Sequence, residues 1–266
     1  FDPIGSENTP FIGSLDGNSR TVTALTINRS TEENVGLFGV CVGELTEVTL
    51  TNATVTGNEA VGRLVGSVSG DSLLQEIRVS GKVSGDKDVG GIVGVATGSS
   101  TLRNVTASGE VKGTQDQNVG GLVGFNDGTI QDATASGDVV GGPFNTGGLV
   151  GDNNGNLTSV TATTDVSGIE DVGGVVGDNN GGTIQNATAS GNVNGTYDVG
   201  GLVGSNDGTI RESFAVGSVT GDGNVGGLVG KNTVRVEQSY FDTQATGLST
   251  SAGSATGLTT AEMQGQ

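Results

Sequence analysis

The chain has 266 residues, of which 32% are hydrophobic, 3% are aromatic and 51 are glycine. This composition excludes a thick globular core filled by large side chains. Its 29 acidic and 11 basic residues give a formal net charge of -18, which argues against nucleic acid or anionic lipid as a partner. Because acids are in excess and lysines are scarce, we expect a halophilic or other saline source.

The first 34 residues precede a regular repeat and are predicted to form an N-terminal capping segment. From Val35 onwards the sequence Val-Gly-Gly-Leu-Val-Gly, which we call the glycine motif, recurs in full or varied form every 26 to 30 residues. Its copies begin at Val35, Val61, Val89, Val119, Thr146, Val172, Val199 and Val225. A fixed period of this size indicates stacked structural units rather than disorder.

Each repeat contains three short strand-like runs. The glycine motif is followed by an Asn-x-Gly corner such as Asn126 to Gly128, then by an alternating run such as residues 129–137, and then by a short third run such as residues 138–141. Three runs per repeat predict one triangular coil. We therefore predict an all-β fold, a parallel β-solenoid or β-helix of about eight coils of roughly 27 residues over residues 35–242. Right-handed winding is favoured by the general rule for parallel crossovers.

Alignment of the repeats separates inward from outward positions. One apolar column contains Leu74, Leu102, Ile130, Leu157, Ile184 and Ile210, and another contains Val83, Val111, Val139, Val166, Val193 and Val219. Polar residues such as Thr134 alternate with them and are predicted to point outward. Residues 243–266 are predicted to form a C-terminal tail or cap, and the whole chain is predicted to be one structural domain.

The Leu-Val pair of the glycine motif is apolar at both positions. Adjacent strand residues point to opposite faces, and Val119 shares parity with Val123, which favours Leu122 pointing outward. A bend at the paired glycines would instead bury both residues, and the sequence leaves that alternative open. The outward orientation predicts an exposed aliphatic ridge for subunit assembly, made of Leu64, Ile92, Leu122, Leu149, Val175, Leu202 and Leu228.

The position before each glycine motif is mostly Asn or Asp. The column is Asn34, Ala60, Asp88, Asn118, Asn145, Asp171, Asp198 and Asn224. Both residue types tolerate left-handed backbone, so we interpret the column as a series of turns. The alternative is a calcium site, because Asp171 and Asp198 would stack about 4.8 Å apart and calcium could bridge them. No other metal and no cofactor is expected.

Two further asparagine patterns stand out. The corner residues Asn126, Asn153, Asn179, Asn206 and Asn232 are interpreted as a stacked ladder. Asn-x-Ser/Thr sequons, which predict glycosylation if the source has the pathway, occur at Asn28, Asn52, Asn104, Asn156, Asn186 and Asn194.

The glycine motif, together with Asn-x-Gly-Thr-Ile and Ala-Ser-Gly-x-Val-x-Gly, resembles the GLUG-repeat family of bacterial and archaeal surface proteins. The resemblance covers residues 35–242, and the flanking segments are also similar to the family. Arg63 replaces a motif glycine, Thr146 a motif valine, and Cys41 a corner asparagine. The resemblance implies a secreted, adhesin-like protein in which the repeats form a presenting stalk.

Histidine is absent, so Ser-His-Asp and Cys-His catalysis are excluded. We predict a non-enzymatic extracellular protein with a structural or adhesive role, as an adhesin stalk, surface-layer component or filament subunit. Its expected partners are copies of itself, neighbouring surface-protein domains, or host-cell or matrix glycans, without membrane insertion. The alternative is a carbohydrate-active β-helix enzyme, a lyase or glycosidase, or a sugar-binding module.

Overall fold

The computed structural model describes residues 1–115 and 117–264. Parallel strands in these ranges form three sheets, and the chain passes through each sheet in turn before it starts the next coil. The predicted all-β parallel solenoid of about eight turns is confirmed. Its right-handed winding stays a prediction.

The first sheet, which we call the glycine sheet, contains the Val-Gly start of the glycine motifs. Val119 pairs in parallel with Val89 in the preceding coil and with Thr146 in the following coil. The strands in the described ranges are Glu59–Gly62, Lys87–Gly90, Val119–Gly120, Thr146–Gly147, Glu170–Gly173, Tyr197–Gly200 and Val225–Gly226.

The second sheet, which we call the asparagine sheet, begins with the last valine of the motif and ends at the corner asparagine. Asn126 pairs with Asn153, and Cys41 takes the equivalent position in the first coil. Its described strands are Phe38–Cys41, Val65–Val68, Val93–Ala96, Val123–Asn126, Val150–Asn153, Val176–Asn179, Val203–Asn206 and Val229–Asn232.

The third sheet, which we call the broad sheet, carries the longest strands. Its described strands are Ser14–Asp16, Thr21–Thr23, Thr26–Asn28, Glu44–Thr46, Thr49–Thr56, Leu73–Gly85, Thr101–Gly113, Thr129–Val140, Asn156–Ser167, Thr183–Ala189, Val193–Asn194, Thr209–Arg211, Phe214–Ala215, Val219–Thr220, Val236–Glu237, Tyr240–Asp242 and Thr256–Leu258. In the central coils the two runs expected after the corner are one strand. The strand bends at Asp132 (φ 52°) and Gly137 (φ 108°), yet its pairing continues on both sides.

The interior is divided into two apolar cores by a narrow waist. The larger core contains the Ile130 column and the smaller one the Val139 column, so the predicted inward columns are confirmed. Between the cores, the second motif glycine faces an alanine across the coil. A Cβ added to Gly121 would lie 3.2 Å from the Cβ of Ala135 and would overlap the carbonyl oxygen of Gly148. Thin coils of this kind explain the low aromatic content.

The predicted exposed ridge is wrong. All seven of its residues have 0% exposure: Leu64, Ile92, Leu122, Leu149, Val175, Leu202 and Leu228. The strand ends at Gly120 and restarts at Val123, and the amides of Leu122 and Val123 both donate to the carbonyl oxygen of Leu149, at 2.8 and 3.0 Å. Strand alternation does not hold across this bend, so both apolar side chains enter the core.

Arg63 occupies the waist, at a position where other coils have glycine. It is fully buried, and its guanidinium donates to the backbone oxygens of Ser108 (2.8 Å) and Glu110 (3.3 Å). Its Nε has no partner among the described residues. Burial lowers the pKa of Arg63 to about 10.

Both ends of the chain join the stack. Ile4 and Phe11 form parallel bridges with Phe38 and Cys41 of the first coil. At the other end lie two short helices, α1 (Thr243–Thr246) and α2 (Thr260–Met263). The division into capping segment, solenoid and tail stays a prediction. Within the described ranges, no helix has the length and apolar character that a membrane span requires.

Candidate functional site

The column before the glycine motifs adopts the backbone that its residue types favour. Seven of its eight members, at 34, 60, 88, 118, 145, 171 and 198, have φ between 49° and 64°, and Asn224 does not have positive φ. The interpretation of this column as a series of left-handed turns is confirmed. Asn and Asp are common there because their short polar side chains tolerate this conformation.

Side chains of this turn column form a ladder along the solenoid. Asn118 Nδ2 donates to Asp88 Oδ1 at 2.7 Å, and Asn145 Nδ2 donates to Asn118 Oδ1 at 2.9 Å. The ladder is interrupted at Asp171, whose buried Oδ1 has no hydrogen-bond partner among the described residues. An ionised Asp cannot donate, so Asp171 followed by Asp198 cannot continue the chain of bonds.

A second acidic column lies beside the first on the asparagine sheet. Asp152 and Asp178 are paired in register in neighbouring coils, and Asp152 Oδ1 is buried without a hydrogen-bond partner in the described part of the chain. Burial, followed by the charges of Asp178 and Asp88, raises the pKa of Asp152 to about 7. Burial and the charge of Asp207 also raise the pKa of Asp178.

Asp171 joins the two acidic columns electrostatically. Burial, with the charges of Asp178, Asp198 and Glu170, raises its pKa to about 7. The sequence alone did not indicate that Asp152 and Asp178 lie close to Asp171. The signal available in the sequence was an Asp between the Val-Gly that ends the glycine motif and the corner asparagine, in two consecutive coils.

The corner where Asp152, Asp171, Asp178 and Asp198 approach one another offers few ligands for a metal ion. In the part of the chain that the structure describes, no group of three or more His, Cys, Asp or Glu residues is placed to hold a metal ion. Asp198 accepts a hydrogen bond of 2.6 Å from Asn224 Nδ2 and lies 3.5 Å from Lys231 Nζ. A calcium ion between Asp171 and Asp198 stays a prediction.

The corner-asparagine ladder is confirmed. Asn126, Asn153 and Asn179 each donate through Nδ2 to the Oδ1 of the asparagine in the next coil, at 2.7 to 2.8 Å. Asn206 makes the same bond to Asn232. The amides therefore tie neighbouring coils together along a buried corner, a structural role rather than a binding role.

All six sequon asparagines lie on the broad sheet and are exposed: Asn28, Asn52, Asn104, Asn156, Asn186 and Asn194. Asn104 and Asn186 share a column with left-handed backbone, each at φ 53°, and Asn52 has the same backbone (φ 54°) at a different position of its strand. Their positions on one face make them accessible to modification, and their glycosylation stays a prediction.

Comparison with known proteins identifies the repeat. The GLUG motif matches residues 85–112 and 116–140, which are two adjacent repeats. The resemblance to GLUG repeats is confirmed there. A segment of 75 residues, 26% of the chain, is 44% identical to Halomucin from Haloquadratum walsbyi (strain DSM 16790 / HBSQ001). The chain matches about 1% of the length of that relative, and no solved structure matches the chain.

Proposed function

We propose that the chain is a non-enzymatic extracellular scaffold, a rigid stalk segment of a larger surface protein. The observation that carries the proposal is the parallel pairing of strands in three sheets along the described coils, since it joins neighbouring coils by backbone hydrogen bonds. Eight coils spaced about 4.8 Å apart give a rod of roughly 40 Å, and its length grows with the number of repeats.

The GLUG match and the relative support this role. The name Halomucin combines the word mucin with a prefix that refers to salt. A saline setting agrees with the net charge of -18 in this chain. The carboxyls with raised pKa also have a structural explanation. Asp171 lies at a corner because a turn residue is needed there, Asp152 lies within a strand of the asparagine sheet, and both pKa values rise chiefly because the coils bury the carboxyls.

A deletion experiment tests the scaffold. Removal of residues 119–145 joins Asn118 to Thr146 and deletes one coil in register. We expect a folded protein whose rod, measured by small-angle X-ray scattering, is about 5 Å shorter. Removal of residues 119–132, half a coil, is the control and should disrupt the β circular dichroism. Equal disruption by both deletions would contradict a stack of equivalent units.

Location needs a separate measurement. An antibody against the chain should label intact cells of the source organism. Labelling that requires cell lysis would contradict the extracellular assignment.

A further inference from the structure

One corner of the solenoid exposes apolar side chains in three successive coils. Phe144 is 40% exposed, Ile169 49% and Tyr197 55%, and Val140 beside them is 39% exposed. We call these four residues the aromatic corner. The chain contains only seven Phe and two Tyr, so two exposed rings at one corner are a notable concentration. An exposed cluster of this kind marks a contact surface.

The two rings belong to one column. Glu170 pairs with Tyr197 in the next coil. On its other side, the Glu170 amide donates to the carbonyl oxygen of Pro143, and the amide of Asn145 donates to the carbonyl oxygen of Glu170, each at 3.1 Å. These bonds place Phe144 opposite Glu170, so the rings lie two coils apart, about 9.6 Å along the axis.

The Tyr197 ring lies along the corner rather than pointing away from it. A Cβ added to Gly223 in the next coil would be 2.7 Å from Tyr197 Cδ1, so the ring rests over this glycine. Because 55% of the residue remains exposed, the side of the ring away from Gly223 is open to a ligand.

A mostly apolar groove with carboxylates at its edge adjoins the aromatic corner through Val140. Its volume is about 340 Å³, and its lining includes Asp138, Val140, Asp165 and Asn194. Asp138 and Asp165 are paired in register, and Asp165 accepts two bonds from Asn192, at 2.8 and 3.0 Å. Asp138 makes no hydrogen bond or ion pair with the described residues, so its carboxylate is free to accept bonds from a ligand.

Charge narrows the choice of ligand. Asp138, Asp165 and the net charge of -18 repel anionic polymers and a second copy of this acidic chain. A neutral sugar chain fits both parts of the surface, because its hydroxyls donate to carboxylates while its apolar ring faces pack on aromatic rings. A basic peptide would satisfy the carboxylates, but its chemistry does not account for two rings spaced by two coils.

We propose that the aromatic corner and its groove bind a neutral, extended β-linked polysaccharide. In a ribbon of such sugars every second residue presents the same face, which matches rings two coils apart. Phe144 and Tyr197 pack against alternate sugars, and Glu170 lies between them in the column and faces the intervening sugar. Ile169 adds apolar surface beside Glu170, and Asp138 accepts bonds from hydroxyl groups. This binding activity goes beyond the scaffold and does not depend on it.

The test uses affinity electrophoresis of the unglycosylated chain in gels containing neutral polysaccharides. The β-linked panel is hydroxyethyl cellulose, glucomannan and mixed-linkage β-glucan, and the α-linked control is pullulan. We expect retardation by at least one β-linked polymer and none by pullulan. The double substitution Phe144→Ala with Tyr197→Ala should weaken binding about tenfold or more, because two ring contacts are lost.

Two control variants keep the test specific. Tyr197→Phe retains the ring and should bind within about twofold of the parent, since packing rather than the hydroxyl carries the contact. Phe214→Ala removes another exposed ring, 38% exposed on the broad sheet, and should also bind within about twofold. Circular dichroism confirms that each variant is folded.

Several results would overturn the proposal. These are no retardation by any β-linked polymer, equal retardation by pullulan, or binding that survives the double substitution. Binding of a lysine-rich peptide alone, with an affinity that falls steeply with salt, would identify a basic polypeptide as the partner instead. The coil-deletion result stands apart from all of these outcomes.

Discussion

Substitution of Asp152 by Asn should stabilise the solenoid, and the gain in the free energy of unfolding should be larger at alkaline pH than at acidic pH. Asp152 is partly buried and lies in register with Asp178, and its Oδ1 has no hydrogen-bond partner within residues 1–115 and 117–264. Its pKa is raised from 3.8 to about 7, so the folded state binds a proton more tightly than the unfolded state. Above pH 7 the Asp152 carboxylate is ionised in the folded chain, and this lowers the free energy of unfolding. Asn carries no charge and removes that loss.

The size of the effect follows from the pKa. A rise from 3.8 to about 7 corresponds to about 4.4 kcal/mol for a fully shielded group. Because Asp152 is partly exposed and solvent screens its charge, we expect about half, or about 2 kcal/mol, at pH 8.5. At pH 5 the folded carboxyl is protonated and the unfolded one is mostly ionised, so the gain should fall below about 1 kcal/mol.

Urea unfolding, followed by circular dichroism at low ionic strength, measures the difference. A gain of about 2 kcal/mol corresponds to a rise of about 4–8 °C in melting temperature, which provides a second readout. Asp127→Asn, at an exposed corner residue, is the control for the same change in net charge. An equal gain for both variants, or a gain for Asp152→Asn that is as large at pH 5 as at pH 8.5, would refute the reasoning.

Molar KCl or NaCl should raise the melting temperature, because salt screens repulsion within a chain of charge -18; a flat or falling series would contradict this. Ile130→Asp should unfold neighbouring coils in circular dichroism, while the outward Thr134→Asp should cost little, and equal losses would mean that the columns are misassigned. Asn179→Ala should cost about 2–4 kcal/mol in urea unfolding, because it removes two links of a buried ladder, and exposed Asn180→Ala should cost less than about 0.5 kcal/mol. Arg63→Met should raise the free energy of unfolding in urea by about 1–3 kcal/mol, since it replaces a buried charge that has no carboxylate partner among the described residues; a loss of stability would show that the backbone bonds of Arg63 outweigh its burial.

Most of the fold could be predicted because each coil repeats the same local chemistry. The Ile130 and Val139 columns, the outward threonines and the asparagine ladder all follow from alternation and spacing, and the structure confirms them. The strand boundaries could not be placed in the same way. Alternation assumes an extended strand, and the bend at Leu122 breaks that assumption within the glycine motif.

The candidate site was less predictable for a different reason. Sequence identifies Asp171 and Asp198 as a repeated position, but the neighbourhood of Asp152 depends on which two columns meet at a corner. That meeting depends on the angle between the glycine and asparagine sheets, which no single repeat encodes. The aromatic corner has a similar origin. Phe144 and Tyr197 share one repeat position, two residues before a glycine motif, but most coils have no aromatic residue there, and Ile169 joins the two rings only when the coils stack.

The stacked architecture also explains where this chain can acquire a binding function without losing its fold. At the waist, Gly121 and Ala135 lie in close contact, and most core positions hold small or medium apolar residues, although Arg63 and Thr146 depart from this pattern. The column that holds Phe144 and Tyr197 has no such constraint, because in earlier coils it contains Glu59 paired with Lys87 at 2.5 Å. A corner can therefore hold an ion pair in one coil and an aromatic ring in another while the strands of the glycine sheet still pair. Selection for a ligand can act on such corners independently of selection for the rod.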